Sequence, residues 1–125
     1  MEKEAKVEEF EQVIKYLAEN IEGLIFAGLI GRDGLPISII AKENMEKAEA
    51  SAEIAEAYNS VLRTVKTLQI GKLEEFFFNT EKMGIFVVTV SENYFIAIGM
   101  TSPANIGRAR LETKKIIPKI EEMIK

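Results

Sequence analysis

Apolar residues recur at helical spacing from Glu2 to about Ile21, where Val7, Phe10, Val13, Ile14, Leu17 and Ile21 share one face and Glu, Lys and Gln fill the others. This pattern predicts an amphipathic first helix, broken by Gly23. The run Leu24-Ile25-Phe26-Ala27-Gly28-Leu29-Ile30 is apolar at successive positions, so both of its faces need cover, as in a central strand. Arg32-Asp33-Gly34-Leu35-Pro36 supplies a tight turn, with Gly34 at the positive-φ position, and Ile37 to Ala41 returns as a second strand. Asn44 is the expected N-cap of a long helix from about Met45 to Leu68, which contains neither Gly nor Pro. After Gly71, three strand-like runs follow at Lys72 to Asn79, Gly84 to Val90 and Tyr94 to Met100, with connections short enough for antiparallel hairpins. Ser102-Pro103 is expected to cap and open a last helix carrying Ile106, Ala109, Ile116, Ile117, Ile120 and Ile124, in which Pro118 should cause a kink or begin a new turn.

The order helix-strand-strand-helix-strand-strand-strand-helix predicts an α/β (α+β) sandwich, one antiparallel sheet covered by helices. At 125 residues, with no linker, repeat or low-complexity stretch, residues 1–125 are expected to form one domain.

Composition narrows the chemistry. With neither cysteine nor histidine, thiol nucleophiles, disulfides and the commonest zinc ligands are excluded together. A net charge of -4 argues against nucleic-acid binding, and no apolar run is long enough for a bilayer span, so a cytoplasmic protein with no membrane insertion is expected. No serine lies in a Gly-x-Ser-x-Gly elbow. Gly71-Lys72 lacks the remainder of a phosphate-binding loop, and Glu74-Glu75 and Glu121-Glu122 lack convergent oxygen ligands. Arg32, Arg63, Arg108 and Arg110 suit surface salt bridges better than a phosphate site. The expectation is no catalytic residue, no metal and no cofactor.

The middle helix carries the strongest signal of a partner. Its charges Glu46, Glu49, Glu53, Glu56 and Arg63 fall on one stripe, which leaves two other faces to be covered. Ile54, Tyr58, Val61, Val65 and Leu68 form a bulky row suited to the sheet, whereas Ala48, Ala52, Ala55 and Asn59 form a small-residue row that permits close helix approach. A twofold-related copy of the same helix explains the second row; the alternative is that alanine supplies helix propensity alone. Phe76-Phe77-Phe78 points aromatic rings to both faces of its strand, so either the chain's own layers or a subunit contact must cover them.

Four segments taken together resemble the Roadblock family of dynein light chains and of bacterial and archaeal regulators of small Ras-like GTPases. They are Ile25 to Gly31 running into Arg32-Asp33-Gly34-Leu35-Pro36-Ile37, the Ala-rich middle helix, Gly84 to Val90, and Thr101-Ser102-Pro103-Ala104-Asn105-Ile106-Gly107-Arg108-Ala109-Arg110. The resemblance implies a Roadblock/profilin-like fold with a five-stranded antiparallel sheet in the order 2-1-5-4-3, the middle helix on one face and the terminal helices on the other. It implies a homodimer as well, with Ala48, Ala52, Ala55, Asn59 and Leu62 at paired middle helices and Leu73, Glu75, Phe76, Phe77 and Phe78 at a seam between third strands. The implied partner is a small Ras-like GTPase, whose hydrolysis is regulated without a catalytic residue from this chain, and Glu49, Glu53, Glu56 and Arg63 are the candidate contact stripe. The runner-up role is a non-catalytic scaffold subunit of a motor or signalling complex.

Overall fold

A computed structural model of the protein describes residues 2–42 and 44–124, with side chains from Val7 onward. Its elements are α1 (Glu2–Asn20), β1 (Leu24–Gly31), β2 (Pro36–Ala41), α2 (Lys47–Leu68), β3 (Glu75–Asn79), β4 (Met83–Thr89), β5 (Tyr94–Thr101) and α3 (Ile106–Met123). The strands form one antiparallel sheet in the order β2-β1-β5-β4-β3. This is the order implied by the Roadblock resemblance.

Strand periodicity divides the apolar residues between two cores. Phe10, Val13, Ile14 and Leu17 of α1 and Ile21 just after it, with Ala109, Ile116 and Ile120 of α3, pack on Ala27, Leu29, Phe86, Ile96, Ile98 and Met100. On the opposite face Ile54, Ala55 and Tyr58 of α2 pack on Phe26, Ile30, Val87, Phe95 and Ala97. All eight residues of β1 are buried, because the strand has a neighbour on each edge and a helical layer on each face. Its apolar run therefore reads as it should. Val7, at the end of the α1 stripe, is 40% exposed.

Gly99 makes the α2-side core possible. A methyl group there would overlap the edge of the Phe26 ring, which fills the space over β5 and is itself buried.

Several boundaries differ from the sequence-based expectation. Asn44 does not cap α2: Glu46 holds the N-cap position without a side-chain hydrogen bond, and the helix starts at Lys47. At the other end Gln69 adopts the left-handed conformation (φ 53°), and the Gln69 N–H to Lys66 O and Ile70 N–H to Val65 O bonds close the helix before Gly71 is reached. Leu68 does not face the sheet but is 60% exposed. β3 begins at Glu75, not Lys72: the Thr89 N–H still donates to Glu74 O at 2.9 Å, but β4 ends at Thr89 and leaves Lys72 and Leu73 no strand opposite them. Neither Ser102 nor Pro103 opens α3. Asn105 does, its Oδ1 accepting from the Arg108 N–H at 3.0 Å. α3 continues through Pro118 to Met123 without starting a new helix. Pro118 and Lys114 are both exposed, so the Lys114 carbonyl that loses its N–H partner faces water.

Overpacking at Gly99 should be measurable. Gly99→Ala is expected to lower stability by about 1–3 kcal/mol, seen as a lower urea midpoint with an unchanged m value. Gly99→Ala with Phe26→Leu should recover part of that loss, giving a favourable coupling energy in the double-mutant cycle.

Candidate functional site

The candidate surface is built around α2 and the two sheet features beside it, the β1–β2 turn and the β3 edge. The turn is rigid. Gly34 takes φ 90°, its N–H donates to Gly31 O at 2.9 Å, and the Asp33 carboxylate accepts from the Leu35 N–H at 3.1 Å. The Arg32 N–H donates to Asn93 O at 2.9 Å, tying this turn to the β4–β5 turn.

Two contacts seat α2 on that turn. Arg32 Nε donates to Asn59 Oδ1 at 3.0 Å, and Asn59 Nδ2 donates back to Arg32 O at 2.9 Å. One helical turn away, Gly34 lies so close to Ala52 and Ala55 that a Cβ on the glycine would stand 3.4 Å from Ala52 Cα. Part of the small-residue row therefore has a reason inside the chain: Ala52, Ala55 and Asn59 admit and hold the turn. Ala55 is buried there, Asn59 half-buried, and Ala48 and Ala52 remain exposed. Tyr58 anchors the same helix to the sheet. Its ring stacks on Phe95 with centroids 4.5 Å apart, and its hydroxyl lies 2.7 Å from Thr89 Oγ1.

With that seating, Glu49, Glu53, Glu56 and Arg63 all project into solvent along one line. Among the described residues the ion pairs are Arg110–Glu75, Arg108–Glu112 and Lys115–Glu112, which leaves the four stripe charges unpaired. Arg32, Glu56, Asn59, Ser60 and Arg63 line a shallow cleft of about 420 Å³ between helix and turn.

At the other end of the sheet, β3 is an edge strand whose outer side has no partner among the described residues. Its side chains divide by parity. Glu75 and Phe77 face the α1/α3 side, where Arg110 grips the Glu75 carboxylate with Nη2 to Oε2 at 2.7 Å and Nε to Oε1 at 2.9 Å, and Phe77 packs on the core. The Arg110 hydrogen bonds hold the Glu75 carboxyl below the usual carboxylate range. Phe76 and Phe78 face the α2 side, half-buried and 39% exposed respectively, in the same layer as half-buried Leu62, Leu73, Met83 and Ile85. The aromatic run is thus covered on one face and incompletely covered on the other.

Sequence reasoning did not single out Glu112. This carboxylate is fully buried between α1 and α3, accepting from the Tyr16 hydroxyl at 2.9 Å, with Lys115 Nζ at 3.0 Å and Arg108 Nη2 at 3.3 Å. Hydrogen bonding by Lys115 is the main reason that its pKa is lowered; Tyr16 and Arg108 act in the same direction, against the opposing effect of burial. Arg108 at i−4 and Lys115 at i+3 were visible in the sequence, but Tyr16 reaches the site only through the fold. Among the described residues, no three or more acidic side chains gather as a metal site, and no helix is long and apolar enough to cross a membrane.

A helix-covered sheet in the order 2-1-5-4-3, with one long helix on one face and the terminal pair on the other, defines a Roadblock-type domain. Solved structures agree on the fold. MglB from Thermus thermophilus, described as a gliding protein, superposes with TM-score 0.83 at 18% identity, covering 95% of this chain and 90% of that one. Myxococcus xanthus MglB gives 0.84 at 14% identity (93% and 94% covered), and a Roadblock/LC7 domain from Streptomyces avermitilis gives 0.83 at 14% (91% and 96% covered). The chain belongs to the mitogen-activated protein kinase kinase 1 interacting family, whose model matches residues 8–125. No curated protein matches the sequence.

The buried carboxylate sets an acid limit. Because the folded pKa of Glu112 lies below its ordinary value, its stabilisation is complete above that ordinary value and disappears as pH falls through the folded pKa. Thermal melts should therefore drop as pH decreases below roughly 4, and Glu112→Gln should flatten that drop while lowering the melting temperature at pH 7.

Proposed function

We propose that this chain acts as a homodimeric adaptor or regulator that binds a small Ras-like GTPase through the outer face of α2. The observation that carries the reading is the stripe Glu49, Glu53, Glu56 and Arg63, which forms no ion pair among the described residues and is held outward by a helix with one flank tied to the turn and its underside packed on the sheet. Exposed, unpaired charge on a rigid element suits a protein contact in which charge steers encounter and sets specificity. The Roadblock fold supports the partner class, since the resemblance implies recognition of switch segments, which are ordered by the γ-phosphate and released without it. Hydrolysis, where stimulated, would use the GTPase's own residues; binding is the role assigned to this chain.

Dimerisation is part of the reading. Phe76, Phe78, Leu62 and Leu73 leave apolar area half-covered beside the open β3 edge, and a second copy would cover it while pairing the edge. Exposed Ala48 and Ala52 belong to the same expected interface. Ala55, Asn59, Glu75 and Phe77, also expected there, already hold contacts within the chain.

A second reading, a scaffold subunit without effect on nucleotide turnover, is favoured by the description of the family itself, which names interaction with a kinase kinase.

Two measurements test this. Light scattering at micromolar concentration should give twice the chain mass, and Phe78→Lys should shift the protein towards monomer. Calorimetric titration of the organism's Ras-like GTPases should show binding to the form carrying a non-hydrolysable GTP analogue and at least tenfold weaker binding with GDP. Glu49→Lys/Glu53→Lys/Glu56→Lys should abolish that binding while remaining dimeric. If no GTPase binds but a protein kinase does, the scaffold reading replaces the first.

A further inference from the structure

The sheet has a second free edge, β2, at the end opposite β3. Natural edge strands are blunted by charged side chains, prolines or bulges. Here Pro36 and a register irregularity at Leu29/Ile30 protect only the first end of the strand, and Ser38-Ile39-Ile40-Ala41 carries none of these devices. Its register shows which backbone groups are free. The Lys42 N–H donates to Ile25 O at 2.8 Å, and the partners Ala27/Ile40 and Leu29/Ser38 follow at intervals of two, so Ser38 and Ile40 bond inward to β1. Ile39 and Ala41 therefore direct N–H and C=O outward, about 7 Å apart, the repeat of an extended chain.

Beside this edge runs a groove of about 620 Å³. Its floor is β2, including Ile37 and Ile40, and its wall is one face of α1, where Glu8, Glu11, Gln12 and Lys15 follow at helical spacing. The wall has two carboxylates to one ammonium. A row of outward amides, the half-buried Ile39 on one face of the sheet and the net acidic wall on the other match an extended segment with alternating apolar and basic residues, the geometry of strand addition to a sheet edge.

We propose that β2 is a docking edge for an extended segment of a partner protein in which apolar residues alternate with Lys or Arg, added as a sixth strand against α1. The groove lies on the α1 face of the sheet, opposite the face that carries α2, and at the other edge from β3, and it does not rest on the GTPase or dimer readings. A second copy is the competing occupant.

The probe is an end-capped, fluorescein-labelled ten-residue peptide alternating valine with lysine, titrated against the full chain by fluorescence anisotropy. Three comparisons accompany it: a valine–glutamate peptide, the valine–lysine peptide N-methylated at alternate amides, and the Ala41→Pro variant, which removes an outward donor and no bond to β1. Saturable binding of the valine–lysine peptide is expected, at least tenfold weaker in all three comparisons. Glu8→Lys/Glu11→Lys should invert the preference between the lysine and glutamate peptides. If Ala41→Pro fails to fold by circular dichroism, the N-methylated peptide carries the same test on the wild-type chain. Absence of binding, equal binding of the N-methylated peptide, or indifference to peptide charge overturns the proposal. So does sedimentation showing a self-assembly of any size that Ala41→Pro dissolves, since β2 would then be occupied by another copy.

Discussion

The contact on which the surface of this protein depends is the seating of α2 against the β1–β2 turn. A long amphipathic helix laid on a sheet can rotate about its axis until specific contacts fix it, because its apolar stripe is about 100° wide. Here the exchange of hydrogen bonds between Arg32 and Asn59 pins one flank, the close approach of Gly34 to Ala52 and Ala55 sets the height, and Tyr58 stacked on Phe95 anchors the underside. Each contact needs its own residue type. Glycine takes φ 90° in the turn without strain, the small side chains of Ala52 and Ala55 let the turn approach, and an amide both donates and accepts. Once the rotation is set, the positions of Glu49, Glu53, Glu56 and Arg63 follow from the helical repeat of about 3.6 residues per turn.

The two faces of the sheet are stabilised differently. The α1/α3 face has a broad apolar core closed at its rim by buried Glu112, which links Tyr16 of α1 to Arg108 and Lys115 of α3. Glu112 is the buried charge of this network while Arg108 and Lys115 reach solvent, so removing its cationic or hydroxyl partners would leave a buried carboxylate without compensation. The α2 face has one helix for five strands. That mismatch leaves Phe76, Phe78 and Leu73 half-covered near β3, and the open apolar layer there supports the dimer reading.

Both ends of the sheet present unpaired backbone, but with different chemistry. β3 is short, with partly uncovered aromatics and a carboxylate already held by Arg110. β2 is uncharged and bordered by the acidic wall of α1. An apolar edge suits a copy of itself, whereas an edge with a charged wall discriminates among partners by charge. The proposed adaptor role draws on three separate surfaces: β3 for self-association, the α2 stripe for the GTPase, and β2 for an extended segment.

Much of this was legible in the chain itself. Hydrophobic periodicity located all eight elements, because the two-residue and 3.6-residue repeats are local properties of the backbone; the buried run of β1, the α1 stripe and the Asp33-Gly34 turn were readable directly. Strand order entered through the family resemblance, and pairing itself depends on residues far apart in sequence. Ends were less legible. Asn44, Gly71 and Ser102 had the right chemistry for caps, yet Glu46, Gln69 and Asn105 occupy those positions, since a cap is chosen by where packing stops the helix. Only the tertiary structure decided what the small residues of α2 touch: Ala52, Ala55 and Asn59 indicate close approach in any reading, and the approaching element proved to include Gly34 of the same chain. Only the fold, too, brought Tyr16 to Glu112 across 96 positions and turned an ordinary glutamate of α3 into a buried anchor. A local pattern specifies that a face must be covered; what covers it depends on the relative placement of distant segments, and that exists only once the chain has folded.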